Sequence, residues 1–233
     1  MARKKYVDET VFDCIDTEEK AYWLGFIYAD GNISNAEHIK EVSNKTVYRL
    51  EISLQSDDID HLNKLKSFFK WDGVVKISKT NYARKDRCRL YFNNKHIWKT
   101  LNSYGCTPNK SLTLKFPNIE IFNDCSLIRH FIRGYVDGDG CISYLQKNHS
   151  RMTLSLLGTI DMLTNIQKHL PIERPNKIWQ KCGNNAKVCN VYTLAFNLWR
   201  GYYVTKYLYE NSTIYLDRKH EKYVEYCRLY EKS

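Results

Sequence analysis

Two aspartates lie near the ends of similar nine-residue segments, each directly before a glycine. Asp30 belongs to WLGFIYADG (23–31), and Asp139 belongs to IRGYVDGDG (132–140), 109 residues further on. A carboxylate at the C-terminal end of an apolar helix adds to the negative end of the helix dipole, and a divalent cation would remove that penalty. Two such carboxylates placed side by side repel each other, so one pKa rises unless cations lie between them. The pair therefore predicts a metal site that could act on a phosphate.

Two lysines repeat with the same spacing as the aspartates. Lys110 follows Asp30 by 80 residues in TPNKSLTLKFP, and Lys219 follows Asp139 by 80 residues in YLDRKHEKY. A cation held near a reacting phosphate stabilises the negative charge of the transition state. Most single lysines are merely solvated, but the repeated spacing favours an active-site role for both.

A glycine inside each segment indicates how the two aspartates could meet. Gly25 and Gly134 hold the same place in the two segments, where glycine destabilises a helix by about 1 kcal/mol relative to alanine. Close packing of the two helices at these glycines would explain both residues. It would also bring Asp30 and Asp139 together at the helix ends.

The helix termini carry further signals. We expect Gly31 and Gly140 to form left-handed caps that turn the chain into the following strands, and their carbonyls could add metal ligands. Asp16 and Glu19 predict a capping box at the start of the first helix. Gly105 predicts the C-terminal end of a later helix.

Hydrophobic periodicity predicts the same order of elements in both halves of the chain. Period-two alternation, as in 47–55 and 87–92, indicates strands with one apolar and one polar face. We therefore predict an α+β fold with two pseudo-symmetric αββαββα halves, 1–118 and 119–233. Each half should contain a four-stranded antiparallel sheet covered on one face by helices.

The polar faces of these strands carry side chains of the types that contact bases and phosphates. The net charge of +10 and the pI near 9.1 also favour an anionic partner. A solvated face is the ordinary alternative for any one strand, but cations in both halves favour double-stranded DNA. The candidate DNA-binding residues are Arg49, Ser53, Gln55, Lys76, Ser78, Arg87, Arg89, Arg151, Thr153, Ser155, Lys177, Lys181 and Lys187.

Composition argues against other classes of protein. No stretch approaches 18 consecutive apolar residues, so we expect no membrane span. The basic N-terminus lacks an apolar segment, so secretion is not expected, and the protein should act in the cytoplasm, an organelle or a phage-host nucleoid. Eight cysteines without a CxxC pair indicate reduced thiols rather than a structural metal.

The two aspartate segments resemble the paired signature helices of the LAGLIDADG homing endonucleases, and TPNKSLTLKFP and YLDRKHEKY are similar to that family as well. Two signatures in one chain resemble the single-chain members, which act as pseudo-symmetric monomers without a protein partner. The resemblance implies a saddle of two sheets on DNA. It implies a magnesium- or manganese-dependent double-strand break in a long pseudo-palindromic target.

The resemblance also implies roles for individual residues. The active-site acids would be Asp30 and Asp139, both metal ligands, and the basic residues would be Lys110 and Lys219. Asp137 lies at an earlier acidic position whose counterpart is Tyr28, so we expect a structural role for it. Gln55 or Asp58 could position water in the first half, whereas 157–159 of the second half depart from the family pattern.

Two other functions remain possible from the sequence. An RNA-splicing maturase or a non-cutting DNA-binding protein could use the same fold, but a purely binding protein would not need the acidic pair. A fold with unrelated Asp-Gly turns would not explain the paired lysines.

Overall fold

The computed structural model of the protein describes residues 5–35, 47–79, 85–144, 152–182 and 188–230. Its first half follows the predicted order of elements. The elements are α1 (Glu18–Asp30), β1 (Gly31–Asn35), β2 (Tyr48–Gln55), α2 (Ile59–Phe68), β3 (Lys76–Ser78), β4 (Arg87–Asn93) and α3 (Lys95–Ser103).

The second half repeats this order and adds one helix. Its elements are α4 (Leu127–Asp139), β5 (Gly140–Tyr144), β6 (Met152–Gly158), α5 (Ile160–Lys168), β7 (Ile178–Cys182), β8 (Val188–Asn197), α6 (Leu198–Tyr209) and α7 (Asp217–Tyr230). Each half forms one antiparallel sheet, ordered β1-β2-β4-β3 and β5-β6-β8-β7. The predicted α+β class with two four-stranded sheets is confirmed.

The core lies between the sheets and around the contact of α1 with α4. Residues 21–28 of α1 are buried without interruption, which is the pattern of a helix enclosed on every side. An ideal Cβ on Gly25 would lie 1.9 Å from the carbonyl oxygen of Phe131, and one on Gly134 would lie 1.9 Å from that of Tyr22. The predicted close packing at the two glycines is confirmed.

Both central helices end at the aspartate and lead directly into a strand. Gly31 has φ −75° and Gly140 has φ −92°, both in the extended region, so the prediction of left-handed caps was wrong. The glycines are required for space instead. A Cβ would lie 2.5 Å from the carbonyl oxygen of Ile27 in the first half and 2.5 Å from that of Val136 in the second.

The start of α1 also differs from the prediction. Thr17, not Asp16, is the N-cap residue, and its side chain accepts a hydrogen bond from the Lys20 amide. Asp16 instead forms an ion pair with Lys20 at 2.8 Å, an exposed pairing at helical i,i+4 spacing. Gly105 follows α3 with φ +101°, which confirms a glycine-dependent helix end.

The alternation predicted for the strands is present in the sheets. In β2, Leu50, Ile52 and Leu54 are buried, while the residues between them are half-buried or exposed. Helices α2 and α3 pack on the first sheet, and α5 and α6 pack on the second. Each sheet therefore has one face in the core and one face open.

The final helix joins the two halves. Arg218 of α7 donates from Nε to both carboxylate oxygens of Asp58, at 3.0 and 3.2 Å. Next to it, Asp217 forms an ion pair of 2.7 Å with Lys64 of α2. Within the described ranges, no helix combines the length and apolar character needed to cross a bilayer.

Candidate active site

Asp30 and Asp139 are the last residues of α1 and α4, and the ends of these helices are in contact. A Cβ on Gly138 would lie 2.2 Å from the Ala29 Cβ and 3.4 Å from Oδ2 of Asp30. Asp30 is half-buried and Asp139 is exposed. The structure therefore brings the two predicted acids together where the helices lead into the two sheets.

The two carboxylates are held in an environment that disfavours their charged forms. Desolvation by the surrounding protein, followed by the negative charge of Asp139, raises the pKa of Asp30 to about 6. Desolvation also raises the pKa of Asp139, although one side of this residue is open to solvent. Lys110 and Lys219 oppose both shifts. Each carboxylate is thus under the influence of both halves of the chain.

The two lysines hold the ends of the central helices. The buried Lys110 donates from Nζ to the carbonyl oxygens of Ala29 at 3.3 Å and Gly31 at 2.5 Å. An ammonium group at these carbonyls neutralises the negative end of the helix dipole. Lys110 is therefore beside the site, but its hydrogen bonds go to the backbone.

Lys219 takes the equivalent position in the second half. Its Nζ donates to the carbonyl oxygens of Val136 and Asp137, both at 2.7 Å, and of Gly140 at 2.6 Å. Burial lowers its pKa to about 8, while the charge of Asp137 acts in the opposite direction. Three carbonyl partners use all three ammonium protons, so its effect on a nearby phosphate would be electrostatic.

The donor atoms at the helix ends fit a hard cation. Mg²⁺ is usually held by one or two carboxylates together with substrate phosphates and water, and Asp30 and Asp139 supply two carboxylates. The carbonyls of Gly31 and Gly140 accept from lysine ammonium groups, so they are less suited to a cation than the carboxylates. Among the described residues, no cluster of three or more His, Cys, Asp or Glu side chains could hold a metal by itself.

A polar cavity of about 340 Å³ opens beside Asp30. Glu51 of β2 contributes to it, directly opposite Asn32 in the strand register. Sequence reasoning missed Glu51 because alternation places it on the open face but does not show which strand lies against the helix end. The cavity is lined by Ala29, Asp30, Gly31, Asn32, Glu51, Ser53, Arg87, Asn109, Lys110 and Ser111.

The two residues predicted to position water lie elsewhere. Gln55 is exposed at the end of β2, opposite Arg87, and does not line the cavity beside Asp30. Asp58 is buried and accepts the two hydrogen bonds from Arg218. Sequence reasoning also missed Arg218, because its partner Asp58 lies 160 residues away in the chain. The positive charge of Arg218 opposes the rise in the pKa of Asp30.

Asp137 is placed in the protein interior, as expected for a structural residue. It is 1% exposed and accepts hydrogen bonds from Tyr22 Oη at 2.7 Å, Tyr209 Oη at 2.5 Å and the Leu216 amide at 2.8 Å. Burial raises its pKa, and Lys219 is the main influence that opposes the rise. The side chain therefore ties both central helices to α6 and the segment before α7.

The predicted DNA-binding residues that the structure describes lie on or beside the open faces of the two sheets. In the first sheet the register aligns Ser53 with Arg89, Gln55 with Arg87, Lys76 with Arg89 and Ser78 with Arg87, and Arg49 lies on the same face of β2. Thr153 and Ser155 face outward on β6, and Lys177 and Lys181 are exposed at β7. Arg151 and Lys187 lie outside the described residues.

Known proteins resemble this chain in sequence over part of its length. Residues 23–116 match the protein family described as LAGLIDADG endonuclease. No curated protein matches the chain at a significant level.

Solved structures resemble most of the chain in fold. The I-LtrWI LAGLIDADG homing endonuclease bound to target DNA aligns with a TM-score of 0.56 at 12% identity over 93% of this chain and 92% of that one. The LAGLIDADG meganuclease I-AabMI bound to uncleaved DNA aligns with a TM-score of 0.55 at 13% identity, over 90% of this chain and 89% of that one. The I-SmaMI LAGLIDADG homing endonuclease bound to cleaved DNA aligns with a TM-score of 0.54 at 11% identity, over 89% of this chain and 87% of that one.

The resemblance drawn from the two signature helices is thus confirmed: residues 23–116 match the LAGLIDADG endonuclease family, and 90–93% of the chain aligns with the fold of LAGLIDADG homing endonucleases.

Proposed function

We propose that the protein is a site-specific DNA endonuclease that makes a metal-dependent double-strand break in a long pseudo-palindromic target. The observation that carries this proposal is the meeting of Asp30 and Asp139 at the ends of α1 and α4, between two open sheet faces. The family match is to endonucleases, and the structural relatives carry DNA. Two acids in one chain, one from each half, support action as a monomer.

A divalent cation, Mg²⁺ or Mn²⁺, would be held by Asp30 and Asp139 together with DNA phosphates. When bound, such an ion lowers the pKa of its water and neutralises charge on the phosphate and the leaving oxygen. The raised pKa of Asp30, caused by burial and by Asp139, supports a cation as the partner of these two carboxylates, because an unneutralised pair would be unfavourable.

The chain's own residues would prepare the site before DNA binds. Lys110 and Lys219 fix the last carbonyls of the two central helices, so the aspartates project from rigid supports. Their positive charges would also stabilise the negative charge that develops on the two scissile phosphates. Arg218, held by Asp58, would add a further positive charge near Asp30.

The two sheets would position the duplex over the helix ends. In our proposal their open faces form a saddle in which Arg, Lys, Ser and Thr side chains contact phosphates and base edges. A maturase or a non-cutting binder could use the same surfaces. The acidic pair is the feature that supports cleavage, because DNA binding alone requires no pair of carboxylates at the helix ends.

Cleavage of a randomised duplex library tests this proposal. The purified protein is incubated with the library in MgCl₂, in MnCl₂ and with a chelator, and newly formed ends are sequenced. We expect ends that share one extended motif, cut on both strands, in the presence of either metal but not with the chelator. Binding without new ends, or cutting without any common motif, would contradict the proposal.

A further inference from the structure

The open faces of the two sheets carry different chemistry at equivalent positions. Pairing of Gly31 with Ile52 and of Gly140 with Leu156 makes residue 52 equivalent to 156. Pairing of Ile52 with Leu90 and of Leu156 with Leu194 makes residue 90 equivalent to 194. The open-face positions of the central strands can therefore be compared one by one.

Arginine in the first half corresponds to uncharged residues in the second. Arg49 of β2 is equivalent to Thr153 of β6, and Arg89 of β4 is equivalent to Thr193 of β8. The open faces of the central strands carry Arg49, Glu51, Ser53, Gln55, Arg87, Arg89, Tyr91 and Asn93 in the first sheet. Asn93 has an identical counterpart in Asn197, and the counterpart of Gln55, Thr159, caps α5. The second sheet carries Thr153, Ser155, Leu157, Val191, Thr193 and Ala195 at the other equivalent positions.

The three arginines are held in place by their neighbours. Arg89 pairs through Nε with Glu51 at 3.1 Å. Arg87 donates from Nε to Ser53 Oγ and from Nη2 to Ser53 O, both at 3.0 Å. The guanidinium of Arg49 lies 5.2 Å from the centre of the Tyr91 ring.

Such contacts fix the guanidinium groups before DNA arrives, so less side-chain entropy is lost on binding. Exposed and oriented arginine is the side chain most often bidentate to O6 and N7 of guanine in the major groove. The first sheet is thus suited to guanine.

The central strands of the second sheet present uncharged hydroxyl and apolar side chains, and the exposed Trp179 of β7 lies opposite Thr193. Leu157 lies opposite Thr193, and Ser155 lies opposite Ala195. The hydroxyl of Thr153 donates to Asn197 Oδ1 at 3.0 Å, so it is already satisfied within the sheet. Threonine methyl groups and alanine make apolar contacts with the C5-methyl group of thymine. In the described part of this sheet, the cations near the open face lie at β7, as Lys177 and Lys181.

We propose that the two halves of the DNA target differ in composition: the first sheet selects guanines through Arg49, Arg87 and Arg89, and the second selects thymines through Thr153, Leu157, Thr193 and Ala195. This inference rests on the proposed function only in requiring that the protein binds duplex DNA through its sheet faces. It does not require cleavage.

Selection of bound duplexes tests the inference. The full chain is mixed with a randomised duplex library in a chelator at low salt, and the retained duplexes are sequenced over several rounds. We expect a motif with guanine required at two or more positions in one half and thymine enriched in the other. Equal guanine requirements in both halves would overturn the inference while leaving the proposed nuclease intact.

Variants then assign each half of the motif to its sheet. Arg89→Ala should reduce guanine preference at one position of the guanine half by about 5- to 150-fold, the range for one bidentate contact. Thymine preference in the other half should not change. Loss of preference in both halves, or in neither while binding persists, would overturn the assignment.

A matched pair of variants isolates the methyl contact in the second sheet. Thr193→Val keeps a methyl group and should retain the thymine preference, whereas Thr193→Ser removes it and should lower that preference by about 4-fold. Identical behaviour of the two variants would contradict the proposed contact. Thermal unfolding of each variant verifies that it is folded. If the wild-type protein retains no duplex at all, both this inference and the proposed function fail.

Discussion

Gly25 and Gly134 each lie against the backbone of the opposite central helix. The carbonyl oxygen of Phe131 occupies the space of a Cβ at Gly25, and that of Tyr22 occupies the space of a Cβ at Gly134. The symmetry of these contacts shows that one close approach of the helices depends on both glycines. It is this approach that places Asp30 beside the end of α4.

Replacing either glycine by alanine should separate the central helices. Gly25→Ala or Gly134→Ala would force a contact of 1.9 Å with a backbone atom, and we expect a loss of about 1–3 kcal/mol in the free energy of unfolding. Denaturant titration measures the loss. Lys99→Ala on the exposed face of α3 is the control and should change stability by less than about 0.5 kcal/mol. Wild-type stability of both glycine variants would contradict the close packing.

The buried His61 should make stability fall at acidic pH. Burial, with Lys64 and other nearby cations, lowers the pKa of His61 from 6.5 to about 3. The unfolded chain therefore binds a proton at His61 near pH 6.5, whereas His61 in the folded protein stays neutral at that pH. The stabilisation that arises from this pKa difference is fully present above pH 6.5. It is lost as pH falls, at up to about 1.4 kcal/mol per pH unit.

The His61→Gln variant isolates this effect, because all other titrating groups are unchanged. Denaturation midpoints of wild type and variant are measured from pH 7.5 to 5. The wild-type free energy of unfolding should fall more steeply, by about 2 kcal/mol between pH 6.5 and 5. Parallel curves would show that His61 does not remain neutral in the folded protein.

Asp137 and Asp139 are only two residues apart but should respond differently to the same substitution. Asp137→Asn places an amide group among the hydrogen-bond donors Tyr22, Tyr209 and the Leu216 amide, so we expect a loss of about 2–3 kcal/mol in stability. Activity per folded molecule should persist below the lowered unfolding temperature. Asp139→Asn, at an exposed position, should not lower stability. A stable but inactive Asp137→Asn protein would assign Asp137 to catalysis instead.

DNA binding should depend strongly on salt, because the chain has a net charge of +10 and the sheets carry exposed cations besides the three arginines, among them Lys76, Lys177 and Lys181. If roughly 6–10 phosphates are neutralised, affinity should fall about 10³–10⁵-fold between about 50 and 200 mM salt. Fluorescence anisotropy at several salt concentrations gives the slope. A nearly flat response would show that the sheet faces do not contact the backbone of DNA.

The repeated pattern of the chain was sufficient to predict the element order, the close helix contact and the pairing of the two acids. Period-two alternation and the unusual helical glycines carry that information locally. The cap at Thr17 was missed because Asp16 and Thr17 are both suitable N-cap residues. In the structure Asp16 forms an ion pair with the Lys20 side chain, and Thr17 is the residue that caps the helix. The extended conformation of Gly31 was missed because a need for space and a need for positive φ look alike in sequence.

Other features of the site depend on contacts between distant segments. Glu51 enters the Asp30 cavity through the register of β1 and β2. Arg218 approaches Asp30 because α7 of the second half docks on Asp58 of the first. Neither relationship has a local sequence signal, so both required the folded structure.

We expect Asp30 and Asp139 together to carry cleavage but not DNA binding. The most direct measurement compares strand cleavage and DNA affinity for wild type, Asp30→Asn, Asp139→Asn and the control Asp60→Asn, which makes the same change at an exposed position on α2. We expect both active-site variants to give no more product than wild type with a chelator, while binding DNA as tightly as wild type, and the control to cut normally. Wild-type cleavage by Asp30→Asn or Asp139→Asn would contradict the account.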